Sequence, residues 1–198
     1  SEDVVNTIKA FRQAQDSTNQ KATVSLAFIY PSPTVESITL DEIFRDNIRL
    51  IKKARPDAVM ISPPGPFKNT NWYCEADKFS FDISSDFIPR MMEYEYVLYK
   101  PVDLWKEIPF SLKGMNFKKM LSETQRLRRY VESEIHIPTD LSDEHFLMIL
   151  SSGMLTAEGI KEFKKNTLLS ILSSDYRYLD HISDKVNQYS KKLADSNN

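Results

Sequence analysis

Apolar residues recur along the chain in two rhythms, short continuous or alternating runs and spacings of three and four, and the switches between them outline the elements. Residues 2–14 place Val5, Ile8 and Phe11 at helical spacing. The polar stretch DSTNQK at 16–21 separates them from ATVSLAFIY at 22–30, an apolar run rich in strand-forming residues that Pro31 and Pro33 bring to an end. Thr39 and Glu42 stand three apart as a capping box, and Leu40, Ile43, Phe44, Ile48 and Ile51 follow as one apolar helix face. Arg55-Pro56 stops that helix, and DAVMIS at 57–62 forms a second short strand ending in PPGP. Residues 22–62 therefore form a β-α-β unit, which makes the two strands parallel and the helix their cover.

Beyond the polar, aromatic stretch at 68–83 the pattern becomes mostly helical. Residues 86–99 carry alternating aromatic and acidic positions, and Lys100-Pro101 ends them. Phe117, Met120, Leu121, Leu127 and Val131 make a stripe between Asn116 and Ile135. Asp140 caps a helix that runs to about Ser151, and Thr156 opens the next. Tyr176, Leu179, Ile182, Val186, Tyr189 and Leu193 mark a last helix over 175–193. The chain shows no internal repeat. The mixture of Pro, Gly and aromatics in PVDLWKEIPFSLKG suggests a boundary near 101–116, dividing an α/β part, 1–100, from a helical part, 101–198. Two parallel strands do not make a stable sheet alone, so the α/β part reads as cut from something wider.

Composition narrows the chemistry. The 198 residues are 41% hydrophobic and 27% charged, enough for one sizeable core or two small ones. A net charge of -2 provides no field to draw the chain onto nucleic acid or an anionic membrane, which leaves small molecules or proteins as partners. Cys74 is the one cysteine, so neither an internal disulfide nor a thiolate metal site is available, and a reducing, cytoplasmic setting is expected. No apolar run approaches the roughly 18 residues of a membrane span, and the first residues lack the pattern of a signal peptide. The four glycines are too dispersed for a phosphate-cradling loop.

The densest group of candidate metal ligands, His136, Asp140, Asp143, Glu144 and His145, straddles a predicted helix start, where the acids serve as caps and the histidines point to different faces. His181 has no second histidine at helical spacing. Cys74 has no adjacent base to lower its pKa, and no serine lies in a G-x-S-x-G elbow. Arg126, Arg128 and Arg129, interleaved with Glu123, Glu132 and Glu134, read as a solvated helix face with internal ion pairs.

Residues 25–73 carry a more specific pattern: an apolar strand ending Phe28-Ile29-Tyr30-Pro31, a turn with Pro33 and Glu36, a helix, an Arg55-Pro56-Asp57 lead-in, then a strand running into Pro63-Pro64-Gly65-Pro66, with Thr70, Trp72 and Tyr73 following. This order resembles the late strands of the radical S-adenosylmethionine (SAM) barrel, and is most similar to the branch with cobalamin-binding domains that includes magnesium-protoporphyrin IX monomethyl ester oxidative cyclase-like proteins. The resemblance implies a partial (β/α) barrel with parallel strands, followed by a mostly helical C-terminal region. It implies S-adenosylmethionine and a 4Fe-4S cluster in a longer protein, with cobalamin as a further cofactor of that branch. Tyr30, Pro31, Pro33, Glu36, Ser62, Pro63, Pro64 and Gly65 would then lie on the cofactor side, and Phe67, Trp72 and Tyr73 on the substrate side. The C-x3-C-x2-C cluster motif is absent, so the chain alone is not expected to be active.

Two functions follow. In the first, the chain is the C-terminal part of a radical SAM oxidoreductase or transferase, contributing late strands and substrate-side helices. Its partners are the N-terminal part of the same protein and a small-molecule substrate, and an exposed sheet edge invites a homodimer. In the second, the chain is a non-catalytic α/β and helical interaction module. Its helical half, with Met91, Met92, Tyr94, Tyr96 and Tyr99, packs on a partner through a large exposed apolar patch.

Overall fold

The computed structural model describes residues 2–18, 23–34, 38–95, 107–139 and 143–196. The chain is a mixed α/β protein that divides into two compact units. The first comprises Ser1–Asn6, Ala27–Arg55 and Ile61–Tyr130, and the second Thr7–Leu26, Pro56–Met60 and Val131–Asn198.

The β-α-β pattern is present as β1 (Ser25–Ile29), α2 (Leu40–Ala54) and β2 (Ala58–Ser62), preceded by α1 (Glu2–Thr18). β1 and β2 are neighbours in a two-stranded sheet. Their ladder runs from the Asp57 N–H on the Val24 carbonyl to the Tyr30 N–H on the Ser62 carbonyl, so both strands advance together and the pair is parallel. Val59 adds a parallel bridge to Thr139 on the other side of β2.

Helix α2 starts where its capping box sets it. The Thr39 hydroxyl accepts from the Glu42 N–H at 3.3 Å while the Glu42 carboxylate accepts from the Thr39 N–H at 2.8 Å and from its hydroxyl at 2.6 Å. Ile48, Ile51 and Ala54 form its buried stripe, and Arg55 closes it in the left-handed region at φ 47. Hydrogen bonds from Thr39 hold the Glu42 carboxyl below its ordinary pKa. A depressed carboxylate contributes stability that is whole above the unfolded pKa and fades as pH falls through the folded one. Thr39→Ala removes the N-cap acceptor and is expected to cost about 1 kcal/mol at neutral pH. In urea titrations the gap from wild type should narrow below the ordinary carboxylate range, keeping only the part carried by the hydroxyl on the Glu42 N–H; an undiminished gap in acid would sink the reciprocal cap.

The region beyond 83, expected to be mostly helical, also carries two strands, which join one from the polar, aromatic stretch before it in a second sheet. Strands β3 (Phe81–Ile83), β4 (Phe110–Leu112) and β5 (Met115–Asn116) are antiparallel in the order β3-β4-β5. Lys113 and Gly114, at φ 50 and 73, form the two-residue turn between β4 and β5, the positive-φ pair that matches the twist of a hairpin. Register places Phe81 opposite Leu112 and Ile83 opposite Phe110. The core of this unit gathers around that face as Phe81, Phe87, Ile108, Phe110, Leu112, Phe117 and Met120. Helix α3 (Asn71–Cys74), a 3-10 turn (Ala76–Phe79), α4 (Phe87–Glu95) and α5 (Phe117–Tyr130) surround it. Residues 96–106, with Tyr96 and Tyr99, lie outside the described residues, as do the side chains of Met92 and Tyr94.

In the second unit, a π turn over Val131–Ile135 precedes α6 (Asp143–Ser151), α7 (Ala157–Ser173) and α8 (Arg177–Ser196). The Asp140 expected to cap α6 lies outside the described residues. The α6–α7 turn is closed by Gly153 at φ 69, with Met154 N–H on the Ile149 carbonyl and Gly153 N–H on Leu150, a Schellman arrangement. Thr156 caps α7 by accepting from the Gly159 N–H at 3.0 Å. Phe146, Ile149, Ile160, Phe163 and Ile182 pack together with Ala58 as this unit's core.

Candidate functional site

The positions singled out after β1 and β2 lie at the carboxyl ends of the parallel strands, where open α/β sheets usually place ligands. Here those ends are covered by α5. The Thr124 hydroxyl donates to the Tyr30 carbonyl at 2.5 Å and to Met120 at 2.9 Å, and Arg128 Nε donates to the Ile61 carbonyl at 2.9 Å. Thr124 and Arg128 are four apart, so one helix face meets both strand ends. Tyr30 is fully buried and Pro31, joined to it by a cis bond, is buried as well. Pro33, Ser62, Pro63 and Gly65 are half-buried and Pro64 is buried, while Glu36 lies outside the described residues.

Around Tyr30 the side chains form an aromatic and ionic cluster rather than an open cleft. Its ring meets Phe44 edge-on at 5.9 Å, Phe44 meets Tyr130 at 5.6 Å, and the Arg126 guanidinium lies 4.3 Å from the Phe44 ring centre. Arg126 pairs with Asp41 at 3.1 Å and with the buried Glu123 at 3.0 Å. The Tyr30 hydroxyl is buried without a partner among the described residues, and burial first, then the Glu123 charge, pushes its pKa up, so it stays protonated at any physiological pH. Of the arginine cluster expected to be a solvated face with internal ion pairs, Arg126 and Arg129 are exposed and Arg126 makes the expected helix pair with Glu123, while Arg128 turns in to the Ile61 carbonyl.

The three substrate-side positions separate. Trp72 packs at 6.0 Å from Phe81 and Tyr73 at 6.4 Å from Phe87, both half-buried against the first unit's core, whereas Phe67 is 59% exposed. Asp57 of the Arg55-Pro56-Asp57 lead-in has a structural task in the second unit, accepting from the Val24 N–H at 2.7 Å and pairing with Arg12 at 2.6 Å. The remaining candidates do not converge. His145 packs edge-on against Phe163, His136 and His181 are exposed, and so is Cys74. Among the described residues no three His, Cys, Asp or Glu side chains come together as metal ligands. A single thiol also cannot supply the three that hold a 4Fe-4S cluster, so the residues present do not fit that group.

The most unusual surface lies where the sequence drew no attention. On the C-terminal half of α7, Leu168 is 56% exposed, Leu169 52%, Ile171 54% and Leu172 73%, and Tyr176 just beyond is 52% exposed. Meanwhile the inner stripe of the same half carries Thr167, whose hydroxyl is buried without a partner among the described residues, and Ser170, which is buried and donates to the Asp175 carbonyl. Ser170 also accepts the Asp175 N–H through its carbonyl at 3.1 Å, so this polar inner residue serves to tie the α7–α8 turn. The large aliphatics are displaced to the outer side. Lys161, Lys164 and Lys165 are exposed one to two turns before them. Among the described residues no helix is long and apolar enough to cross a membrane. The chain matches no protein-family model, no curated protein and no solved structure.

Proposed function

We propose that the chain is an α/β and helical protein-interaction module that docks through the outer side of α7. The observation that carries this reading is the inverted pattern of that helix: four aliphatic side chains more than half exposed, over an inner stripe holding Thr167 and Ser170. Monomeric proteins rarely leave apolar patches beyond a few hundred Å2 open to water, and covering one is worth roughly 25 cal/mol per Å2. The covered strand ends support the same reading, since they leave Tyr30, Pro31 and Pro64 buried beneath α5 and its neighbours rather than open to a small ligand.

A photoreactive amino acid placed at Leu168 or Leu172 in the cells that make the protein is expected to yield discrete cross-linked adducts. The same probe at exposed Ser183 on α8 should yield none. Equal labelling at both places, or none at either, would remove α7 as the docking side.

A second reading, a piece of a radical SAM (β/α) barrel, is favoured by one observation. Parallel strands are normally covered on both faces, yet Ala27 and Ile29 of β1 and Met60 of β2 are exposed. Under that reading further strands cover this face, and S-adenosylmethionine, the cluster and any cobalamin are held with residues outside this chain. The test is the coding sequence upstream of Ser1: a C-x3-C-x2-C motif and about four irons per longer chain support it, and their absence ends it.

A further inference from the structure

We infer that the occupant of the α7 surface is the same surface of a second copy of this chain. The inference rests on the interaction-module reading and names its partner. A two-fold pair sets residue i against j and j against i. Leu168 and Leu172 are one helical turn apart on the outer side. Two α7 helices crossing antiparallel about an axis between these residues set Leu168 of each copy against Leu172 of the other. Leu169 and Ile171 then flank the seam. Together with the exposed Tyr176 these four side chains offer on the order of 500 Å2 of surface per copy, or about 1,000 Å2 for the pair, the lower bound for a specific interface and the size of a weak, reversible one.

Charge selects the direction. Lys161, Lys164 and Lys165 precede the leucines on the outer side, and the acids that follow them are Asp175 and Asp180. Asp175 is held by Arg177 at 2.5 Å, which draws its pKa down to about 2, while Asp180 is exposed at the start of α8. Running antiparallel carries each copy's lysines toward the other's Asp180. A parallel pair would stack lysine on lysine, a repulsion that opposes association.

Sedimentation of the intact chain from about 1 to about 300 μM brackets weak association. A reversible monomer–dimer equilibrium is expected. Leu168→Lys with Leu172→Lys should weaken it roughly a hundredfold, since both side chains lose their burial, while far-UV circular dichroism stays unchanged because neither is buried in the monomer. Ile29→Lys, on the exposed side of β1, should leave the equilibrium as it was. A monomer throughout, a dimer indifferent to the leucine pair, or a monomer that floats with phosphatidylserine vesicles through those leucines would each overturn the inference. Cross-links from Leu168 to a different protein, with a monomeric chain, would overturn it while leaving the interaction module standing. No dimer and no cross-links would remove both.

Discussion

Phe110→Ala is expected to cost about 3–5 kcal/mol, enough to unfold a marginal domain at physiological temperature. Phe110 is 5% exposed and its ring lies 6.1 Å from Phe81, 5.4 Å from Phe87 and 5.6 Å from Phe117. Truncation therefore removes one wall from three neighbours at once, and the partners sit on β3, α4 and α5, whose backbones cannot all collapse into the void. Phe67→Ala is the control. That residue is a phenylalanine of the same unit but 59% exposed, so its loss should stay within about 0.5 kcal/mol. Urea unfolding followed by circular dichroism measures both. Equal midpoints for the two variants would mean that Phe110 is not central to this core.

The same residue shows where sequence patterns stop being informative. The β-α-β segment was legible because each boundary has a local cause: Thr39 and Glu42 cap α2, and Pro31, Pro56 and Pro63 end runs that could not continue. Thr156 likewise marks the start of α7. The hairpin of β4 and β5 was hidden, since three-residue and two-residue strands are too short for a period and their Pro and Gly neighbours resemble a linker. Its signal was Lys113-Gly114 between Phe110, Leu112, Met115 and Phe117, an alternation broken at a two-residue turn. The site was less legible than the fold. Tyr30 and Pro31 end a strand, and nothing local to them reveals that Thr124, ninety-four residues later, would cover that end. Leu168, Leu169, Ile171 and Leu172 drew no reading, because a crowded aliphatic run does not say which side of its helix meets a neighbour. That is decided by tertiary packing, here by Ile160, Phe163 and Ser170 taking the inner side.

Gly159→Ala carries a prediction opposite in sign to helix propensity. Alanine is favoured over glycine inside a helix by about 1 kcal/mol, so a surface α7 position should gain from the change. Gly159, however, is buried in the first turn of α7, where a Cβ would stand 2.4 Å from the Met154 carbonyl oxygen and 2.9 Å from its carbon. Both atoms are backbone, held by the Schellman turn through the Met154 N–H on Ile149 and by the Thr156 N–H on the Met154 carbonyl itself. A flexible side chain could swing aside; this carbonyl can move only by opening the α6–α7 turn and pulling Ile160 away from Phe146 and Ile149. The overpacking cost of about 1–3 kcal/mol, rising beyond that where backbone must move, therefore outweighs the propensity gain. Glu158→Ala, an exposed neighbour in the same turn, separates the two effects because it changes propensity without meeting the carbonyl. A lower urea midpoint for Gly159→Ala and a near-unchanged one for Glu158→Ala is the expected pair. A Gly159→Ala midpoint at or above wild type would mean that the α6–α7 turn does not press on α7, and that the packing which leaves the leucines of α7 facing outward is looser than described.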